Sequence, residues 1–239
     1  MQPVALITGA SRGLGATLAR LLAGRHFDLV LNARGSPDLE RLASDLRGEG
    51  ITVVTAAGDI TEAATRDRLI HAASGLGGLD LLVNNASELG GLSPLADVDL
   101  ERVERVLRVN VVAPIALVQR ALPLLARRHG LVVNISSDAA RGAYPGWGAY
   151  GASKAALDLI DRTLAAELRE RGVAVVTVDP GDMRTRMHQE AFPDEDISDR
   201  PLPEVTRPFW EWLLEQNAGA ITGERFRAQN EEAPWVVPA

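Results

Sequence analysis

The stretch "VALITGASRGLGATLARLLAG", residues 4–24, decides the fold. Its first residues are apolar or β-branched, as in a buried strand, and leucines then recur at helical spacing from Leu14 to Leu22. Between the two lies a glycine-rich turn. Glycine permits backbone geometry and close approaches that other residues obstruct, and a helix N-terminus offers free N–H groups to an anion. The stretch therefore predicts a strand, a phosphate-binding turn and a helix, with glycines at Gly9, Gly13 and Gly15.

The same alternation of strand and helix continues outward along the chain. Further apolar, β-branched runs predict buried strands at 27–33, 51–57, 79–85, 130–136 and 173–179, with a last strand inside 223–229. Helical-period segments separate them. Strands joined by helices favour right-handed crossovers between parallel strands. The prediction is one α/β domain over 1–239, a Rossmann-type doubly wound sheet of about seven mostly parallel strands with helices on both faces.

Local signals predict several boundaries. Ser36 and Pro37 are typical of an N-cap and a first helical residue, and Thr61 is expected to begin the next helix. Pro114 and Pro123 are expected to kink or break a long helix over 97–128. The segment 182–203 lacks periodicity and is expected to be a loop with one short helix, followed by a helix around 204–216.

Composition and charge narrow the function classes. A chain of 239 residues with no cysteine has no disulfide framework and no thiolate nucleophile, and its four scattered histidines do not predict a metal site. The net charge of −7 argues against nucleic acid or a membrane surface as the main partner. Without a signal core or a spanning segment, a cytoplasmic protein acting on a small molecule is expected.

The glycine turn and the second strand predict a dinucleotide and its type. The spacing G-x-x-x-G-x-G departs from the G-x-G-x-x-G fingerprint, but its place after the first strand favours a dinucleotide over a purely structural turn. The second strand ends "LVLNARGS" without the acid that binds a ribose 2′-hydroxyl. Arg34 follows immediately and Arg12 lies in the glycine turn. Two guanidinium groups favour NADP(H), while NAD(H) and merely surface-exposed arginines remain alternatives.

At this point the sequence resembles the classical short-chain dehydrogenases/reductases. The resemblance covers nearly the whole chain, although Ser87 stands where that family most often has glycine. It rests on motifs in the family's order and approximate spacing: "TGASRGLG" (8–15), "GDI" (58–60), "NNAS" (84–87), "LRVNVVAP" (107–114), "VVNISS" (132–137), "YGASK" (150–154) and "DPGDMRT" (179–185).

The resemblance implies a catalytic tetrad of Asn110, Ser137, Tyr150 and Lys154. Tyr150 and Lys154 are one helical turn apart, so that an ammonium can lie near the phenol or a bound ribose. A free phenol has a pKa of about 10, and nearby positive charge is expected to lower the pKa of Tyr150. Ser136 is a rival to Ser137, since adjacent strand residues face opposite sides; the family spacing selects Ser137. Asn110 is expected to belong to a water-linked proton path past Lys154.

The resemblance also implies a set of cofactor contacts running from adenine to nicotinamide. Asp59 and Ile60 are placed at adenine, Asn85 and Ala86 near its ribose, and the "DPGDMRT" turn beside nicotinamide. The full predicted set is Gly9, Ser11, Arg12, Gly13, Leu14, Gly15, Arg34, Asp59, Ile60, Asn85, Ala86, Tyr150, Lys154, Pro180, Gly181, Met183 and Thr185.

These residues predict an NADPH-dependent enzyme that reduces a carbonyl compound, with Tyr150 as general acid. Tyr144 and Trp147 are candidate aromatic walls of the substrate pocket, although simple packing explains them equally well. The alternatives are an NAD-linked alcohol or steroid dehydrogenase working oxidatively, and a non-catalytic dinucleotide-binding redox sensor. A small-molecule carbonyl or alcohol substrate is expected as partner, and the resemblance implies a homodimer or homotetramer.

Overall fold

The computed structural model describes residues 2–229 and Trp235. Seven strands form one sheet in the order β3-β2-β1-β4-β5-β6-β7, and every neighbouring pair is parallel. The predicted fold class is confirmed, with all strands parallel rather than most. The strands are β1 Val4–Ile7, β2 Asp28–Ala33, β3 Val53–Ala57, β4 Leu81–Asn84, β5 Leu131–Ile135, β6 Ala174–Asp179 and β7 Arg225–Arg227.

Helices connect the strands and cover both faces of the sheet. Alternate strand residues point to opposite faces, so that Ile7 and Leu6 belong to two separate apolar clusters. The described α-helices are α1 Gly13–Gly24, α2 Ser36–Leu46, α3 Ala63–Gly75, α4 Leu100–Leu107, α5 Ala113–Arg128, α6 Gly148–Leu168, α7 Arg186–Ala191, α8 Arg207–Glu215 and α9 Ala218–Ile221.

The strand order reverses between β1 and β4, which places a crevice at their carboxyl ends. Crossovers from β1 lead outward through β2 to β3 on one side, while β4 to β7 follow on the other. In open α/β sheets a ligand binds at such a switch point. The loops after β1, β4, β5 and β6, which carry most of the predicted site residues, therefore meet at one edge of the sheet.

Three helix predictions need correction. Ser36 is the first helical residue rather than the cap, since Gly35 takes that place, and α3 begins after Glu62, two residues later than Thr61. The long helix is not broken at Pro123, which lies inside α5. The ring of Pro123 is exposed, so that the carbonyl it leaves unbonded can reach water. The irregularity falls earlier, at a π-helical turn over Arg108–Val112.

The combined helix from Leu100 to Arg128 is 29 residues long and apolar enough to cross a membrane by length and composition. Half of its most apolar window is buried inside the fold, however. Its buried side chains, among them Leu117 and Leu125, pack in the cluster that covers one face of the sheet. That environment is typical of the core helix of a globular domain.

The segment 182–203 is ordered around one short helix, as expected. Thr185 caps α7, its hydroxyl accepting a hydrogen bond from the His188 amide at 3.2 Å. Further along, the amide of Arg184 donates to the Pro201 carbonyl at 2.7 Å and closes the segment into a loop. Glu204 then accepts a hydrogen bond from Thr17 of α1 at 3.0 Å, which ties the end of the loop to the first helix.

We expect alanine at Gly15 to destabilise the fold, because a Cβ there would lie 2.4 Å from the Gly9 carbonyl oxygen. Gly24 is the matched control in the same helix, since a Cβ there meets nothing within 4 Å. Urea unfolding should show Gly15→Ala losing about 1–3 kcal/mol, whereas Gly24→Ala should be neutral or gain up to about 1 kcal/mol. Equal stability of the two variants would contradict the close packing of α1 on the β1 turn.

Candidate active site

A cleft of about 1270 Å³ runs along the carboxyl edge of the sheet from the glycine turn to Trp147. Of the four predicted catalytic residues, Ser137, Tyr150 and Lys154 line it and Asn110 lies behind the wall. Every predicted cofactor-binding residue except Gly15 also lines it. The residues predicted from the sequence thus lie together at one cleft, although the role of each residue remains a prediction.

The glycine turn forms a cradle that side chains would fill. Gly9 and Gly13 have φ values of +66° and +54°, a region that favours glycine. Asn85 braces the turn, since its Nδ2 donates to the carbonyl oxygens of Thr8 and Gly9 at 2.9 and 3.1 Å. No described side chain caps the N-terminus of α1, whose amides are left for an anion. These features fit the pyrophosphate of a dinucleotide.

At the adenine end, Asp59 is already engaged by protein groups. Its Oδ1 accepts from the amide and hydroxyl of Thr61, both at 2.8 Å, and its Oδ2 accepts from Arg105 at 2.6 Å. Burial opposes ionisation of this carboxyl, but the hydrogen bonds outweigh burial and lower the pKa of Asp59. Arg105 also binds Glu88 at 3.2 Å. The sequence reading singled out neither Arg105 nor Glu88, because both are ordinary polar residues on helix and loop.

The two predicted phosphate-binding arginines line the same end of the cleft. Arg34 follows β2, and its Nη1 lies 3.5 Å from the Glu88 carboxylate. Its side chain is 64% exposed, so it can turn toward a ligand at little cost. Arg12 immediately precedes α1 and lines the cleft as well. The cation pair predicted from the sequence is therefore available where β1 and β2 end.

Tyr150 and Lys154 face the cleft from α6. The Lys154 ammonium lies 5.5 Å from the centre of the Tyr150 ring and donates to the Ile135 carbonyl at 2.7 Å. Ser137 and Ser87 line the cleft with Tyr150; the Ser137 hydroxyl donates to Asp138 at 3.0 Å and the Ser87 hydroxyl donates to Asn110 Oδ1 at 3.2 Å. Ser136 points elsewhere, since its hydroxyl binds Asp158. The geometry separates the two serines as the family spacing does, with Ser137 at the tyrosine.

The pKa of Tyr150 moves opposite to the expected direction. Burial raises it to about 12, and the neighbouring hydroxyls of Ser137 and Ser87 only partly offset that rise. The Lys154 ammonium, 5.5 Å from the ring centre, does not reverse the shift. Without the positive charge of an oxidised nicotinamide, Tyr150 is thus a neutral phenol at physiological pH. A neutral phenol is a proton donor.

Asn110 lies in the π-helical turn and is fully engaged. Its Oδ1 accepts from the Glu88 amide at 2.9 Å, and its Nδ2 donates to the Glu88 carbonyl and to Ser153 Oγ, each at 2.9 Å. Ser153 in turn donates to the Tyr150 carbonyl at 2.6 Å. Asn110 therefore ties the loop after β4 to the tyrosine helix. A π-helical turn is often found at functional sites, while the water-linked path remains a prediction.

The turn after β6 shapes the end of the cleft where the resemblance predicts nicotinamide. Asp179 accepts from the Gly181 amide at 3.1 Å. Gln229 donates from Nε2 to the carbonyl oxygens of Pro180 and Asp182, at 2.9 and 2.8 Å. Gln229 was not predicted as a site residue; its place at the end of the last predicted strand was the available signal. Three hydrogen bonds, made by Asp179 and Gln229, thus fix the turn that carries Met183.

Aromatic rings line the wall next to Tyr150. Trp147 lies 5.9 Å from Tyr150 and 5.9 Å from Phe192, and Phe192 lies 4.9 Å from His188, centre to centre. Trp147 lines the cleft, as predicted for a substrate wall. Tyr144 stands on the outer side, 46% exposed, and donates to Asp138 at 2.8 Å. Of the two residues predicted to wall the substrate pocket, Trp147 therefore lines the cleft and Tyr144 lies outside it.

Comparison with known proteins decides the family. The family model for short chain dehydrogenases matches residues 3–196. The chain belongs to the short-chain dehydrogenase/reductase family. The bovine (Bos taurus) dehydrogenase/reductase SDR family member 4 is 33% identical over 233 residues, covering 92% of this chain and 84% of that protein.

Two solved structures also resemble this dehydrogenase/reductase over most of its length. A short chain dehydrogenase from Shigella flexneri, complexed with NADP, has a TM-score of 0.86 at 30% identity, covering 95% of this chain and 97% of that chain. The 3-oxoacyl-[acyl-carrier protein] reductase from Brucella melitensis, in complex with NAD, has a TM-score of 0.86 at 27% identity, covering 95% and 96%. The chain is therefore an NAD(P)-dependent oxidoreductase acting on small molecules.

We expect Tyr150→Phe to lose carbonyl reduction by about 10²–10⁴-fold, because it removes the proton donor. Tyr144→Phe is the matched control and should stay within about twofold, since its hydroxyl contacts only the exposed Asp138. The measurement is kcat/KM for one accepted substrate, with dinucleotide affinity measured separately. Full activity of Tyr150→Phe would rule out the assigned acid.

We expect activity to fall as pH rises through about 8. Burial lowers the pKa of Lys154 to about 8, while Asp158 and Asp161 act to raise it. The ammonium exists below that pKa, so its contribution is lost above it. Asp161→Asn removes one supporting charge and should shift the alkaline limb of the kcat profile to lower pH. The exposed Asp45→Asn should leave the limb in place, and an unshifted limb in both variants would contradict this reading.

Proposed function

We propose that this enzyme reduces a neutral carbonyl compound with NADPH. The observation that carries the proposal is the buried Tyr150 phenol, which lines the cleft with Ser137 and has the Lys154 ammonium 5.5 Å from its ring centre. A protonated phenol serves reduction directly, whereas oxidation of an alcohol needs the phenolate. The burial that raises the pKa of Tyr150 thus favours the reductive direction in the resting site.

Each residue of the site has a separate role in the proposed reaction. The cleft residues would hold a reduced nicotinamide, which would supply the hydride for the carbonyl carbon. Ser137 donates a hydrogen bond to the substrate oxygen and holds it, and Tyr150 gives that oxygen its proton. Lys154, held at the Ile135 carbonyl, stabilises the phenolate that remains. Asn110 fixes the loop and helix that frame these groups.

The cofactor choice rests on the end of β2. Arg34 follows that strand, no acid stands at Asn32 or Ala33, and Arg12 lines the same cleft. A 2′-phosphate would gain paired guanidinium hydrogen bonds there, whereas a bare ribose has no carboxylate at the end of β2 to bind. Similar structures have been solved with NADP and with NAD, so the preference rests on Arg34 and Arg12.

Charge and ring geometry narrow the substrate. Trp147 and His188 line the cleft and Phe192 packs against both, so that an aromatic wall stands beside Tyr150. Asp138, Asp182 and Glu190 line the cleft together with Arg184 and Arg186, and Arg186 is paired with Glu190 at 2.7 Å. Three acids and two arginines do not make the basic rim that an acyl-carrier protein would require. We therefore favour a small neutral ketone bearing a ring over a carrier-bound 3-oxoacyl group.

The decisive experiment is NADPH oxidation against matched carbonyl compounds: an aryl methyl ketone, the cyclohexyl methyl ketone of equal size, and an acetoacetyl thioester. The aryl ketone should have the highest kcat/KM. Faster turnover of the thioester would overturn the substrate class but leave reduction intact. Turnover only with NAD⁺ and an alcohol would favour the oxidative alternative, and binding without turnover in either direction would favour a redox sensor.

We expect Arg34→Ala to weaken NADPH binding by about 10–100-fold, the loss of one charge-assisted contact, and to change NADH binding by less than about threefold. Arg41→Ala is the matched control, because Arg41 is an exposed arginine on α2 paired with Asp38. Equilibrium titration of both dinucleotides checks this. Tighter NADH than NADPH binding by the unmodified protein would contradict the preference.

Self-association and location follow as further parts of the proposal. Val112, in the π-helical turn that leads into α5, is 55% exposed, and Leu159 of α6 is 59% exposed. Apolar side chains on such faces are suited to a homodimer or homotetramer interface. A cytoplasmic enzyme with a small-molecule partner agrees with the cysteine-free, acidic sequence.

A further inference from the structure

We propose that Arg225, on the edge strand β7, is a positioning residue that fixes the active-site serine, the tyrosine–lysine helix and the nicotinamide turn relative to one another. The proposal uses the roles given above to Ser137, Tyr150 and Lys154, and in that respect it rests on the proposed function. The placement of Arg225 itself rests on its contacts alone.

The Arg225 guanidinium is buried, with 9% of the side chain exposed, and it bonds to three separate elements. Its Nε donates to Asp158 of α6 at 3.0 Å. Its Nη2 donates to the Ser137 carbonyl after β5 at 2.9 Å and to Asp179 at the end of β6 at 3.3 Å. One planar group therefore joins the elements that carry the reacting side chains.

Asp158 links Arg225 to Ser136, the residue before Ser137. It lies one helical turn after Lys154, on the helix face that also carries Tyr150. Its Oδ1 accepts from the Ser136 hydroxyl while its Oδ2 accepts from Arg225. Ser136 is thus held by its side chain and Ser137 by its carbonyl, while the Ser137 hydroxyl donates to Asp138, which also lines the cleft, at 3.0 Å.

Asp179 carries the same constraint to the turn after β6. Its Oδ2 accepts from Arg225 at 3.3 Å, and its Oδ1 accepts from the Gly181 amide at 3.1 Å. The turn at Pro180 therefore cannot shift against β5 without breaking a buried, charge-assisted contact. Arg227 adds a weaker contact to the same carboxylate at 3.9 Å, from a side chain that is 51% exposed.

Lysine cannot reproduce the three hydrogen bonds of Arg225. A guanidinium offers donors in a fixed plane that match several acceptors at once, whereas an ammonium is a compact point charge. Arg225→Lys keeps the positive charge between Asp158 and Asp179, so it does not strand two buried carboxylates as a neutral residue would. The substitution therefore tests alignment rather than charge.

The experiment compares Arg225→Lys with Arg227→Lys on the same strand. Since displacement of a reacting group by about 1 Å costs about 100-fold in rate, Arg225→Lys should lower kcat by about that factor. Its KM and NADPH affinity should change by less than about threefold. Arg227→Lys should match the unmodified enzyme, and Asp158→Asn, which keeps two of the three Arg225 contacts, should lie between.

A second readout does not depend on activity. Amide hydrogen exchange should quicken by about tenfold or more in residues 136–140 and 181–183 of Arg225→Lys, with β1 as the unaffected reference. Unchanged exchange in these segments, or a folded Arg225→Lys with full kcat and only a lower melting temperature, would overturn the positioning role. If the unmodified enzyme reduced no carbonyl, the proposed function would fail while the exchange data still decided this inference.

Discussion

One buried cation governs the polar interior at the carboxyl edge of the sheet. The Lys154 side chain belongs to a residue only 2% exposed, and its ammonium donates to the Ile135 carbonyl at 2.7 Å. A charge so placed is costly unless paired and hydrogen-bonded. Asp158 and Asp161 lie one and two turns further along the same helix and supply the opposing charge. The lysine therefore requires acids behind it, and those acids require partners of their own.

The partners come from neighbouring strands, which explains why polar residues appear in a parallel sheet. Asp161 accepts from Thr177 of β6 at 2.7 Å and also from Asn134 of β5. Asn134 in turn accepts from Asn84 of β4 at 2.7 Å. Burial raises the pKa of Asp161 to about 7 despite these bonds. Three strands and one helix are thus interlocked through side chains, so the site is rigid before any ligand arrives.

The sequence predicted the fold because its signals are local and repeated. Each buried run of Val, Leu and Ile specifies a strand, and the glycines around Gly13 specify the first turn, regardless of what lies elsewhere. The placement of Tyr150 and Lys154 also followed from spacing along one helix. The contacts of Arg225 could not be predicted, since its partners lie 46 to 88 residues away. The pKa of Tyr150 depends on burial, which only the folded chain defines.

The proposed function requires that hydride and proton reach the two ends of one carbonyl bond at the Tyr150 site. The most direct measurement uses NADPH with deuterium at both C4 positions of the nicotinamide and an aryl methyl ketone, followed by NMR of the alcohol. We expect deuterium on the carbinol carbon, one atom for each dinucleotide consumed, and loss of that product in Tyr150→Phe. Dinucleotide consumption without deuterium on carbon, or an undiminished yield from Tyr150→Phe, would contradict it.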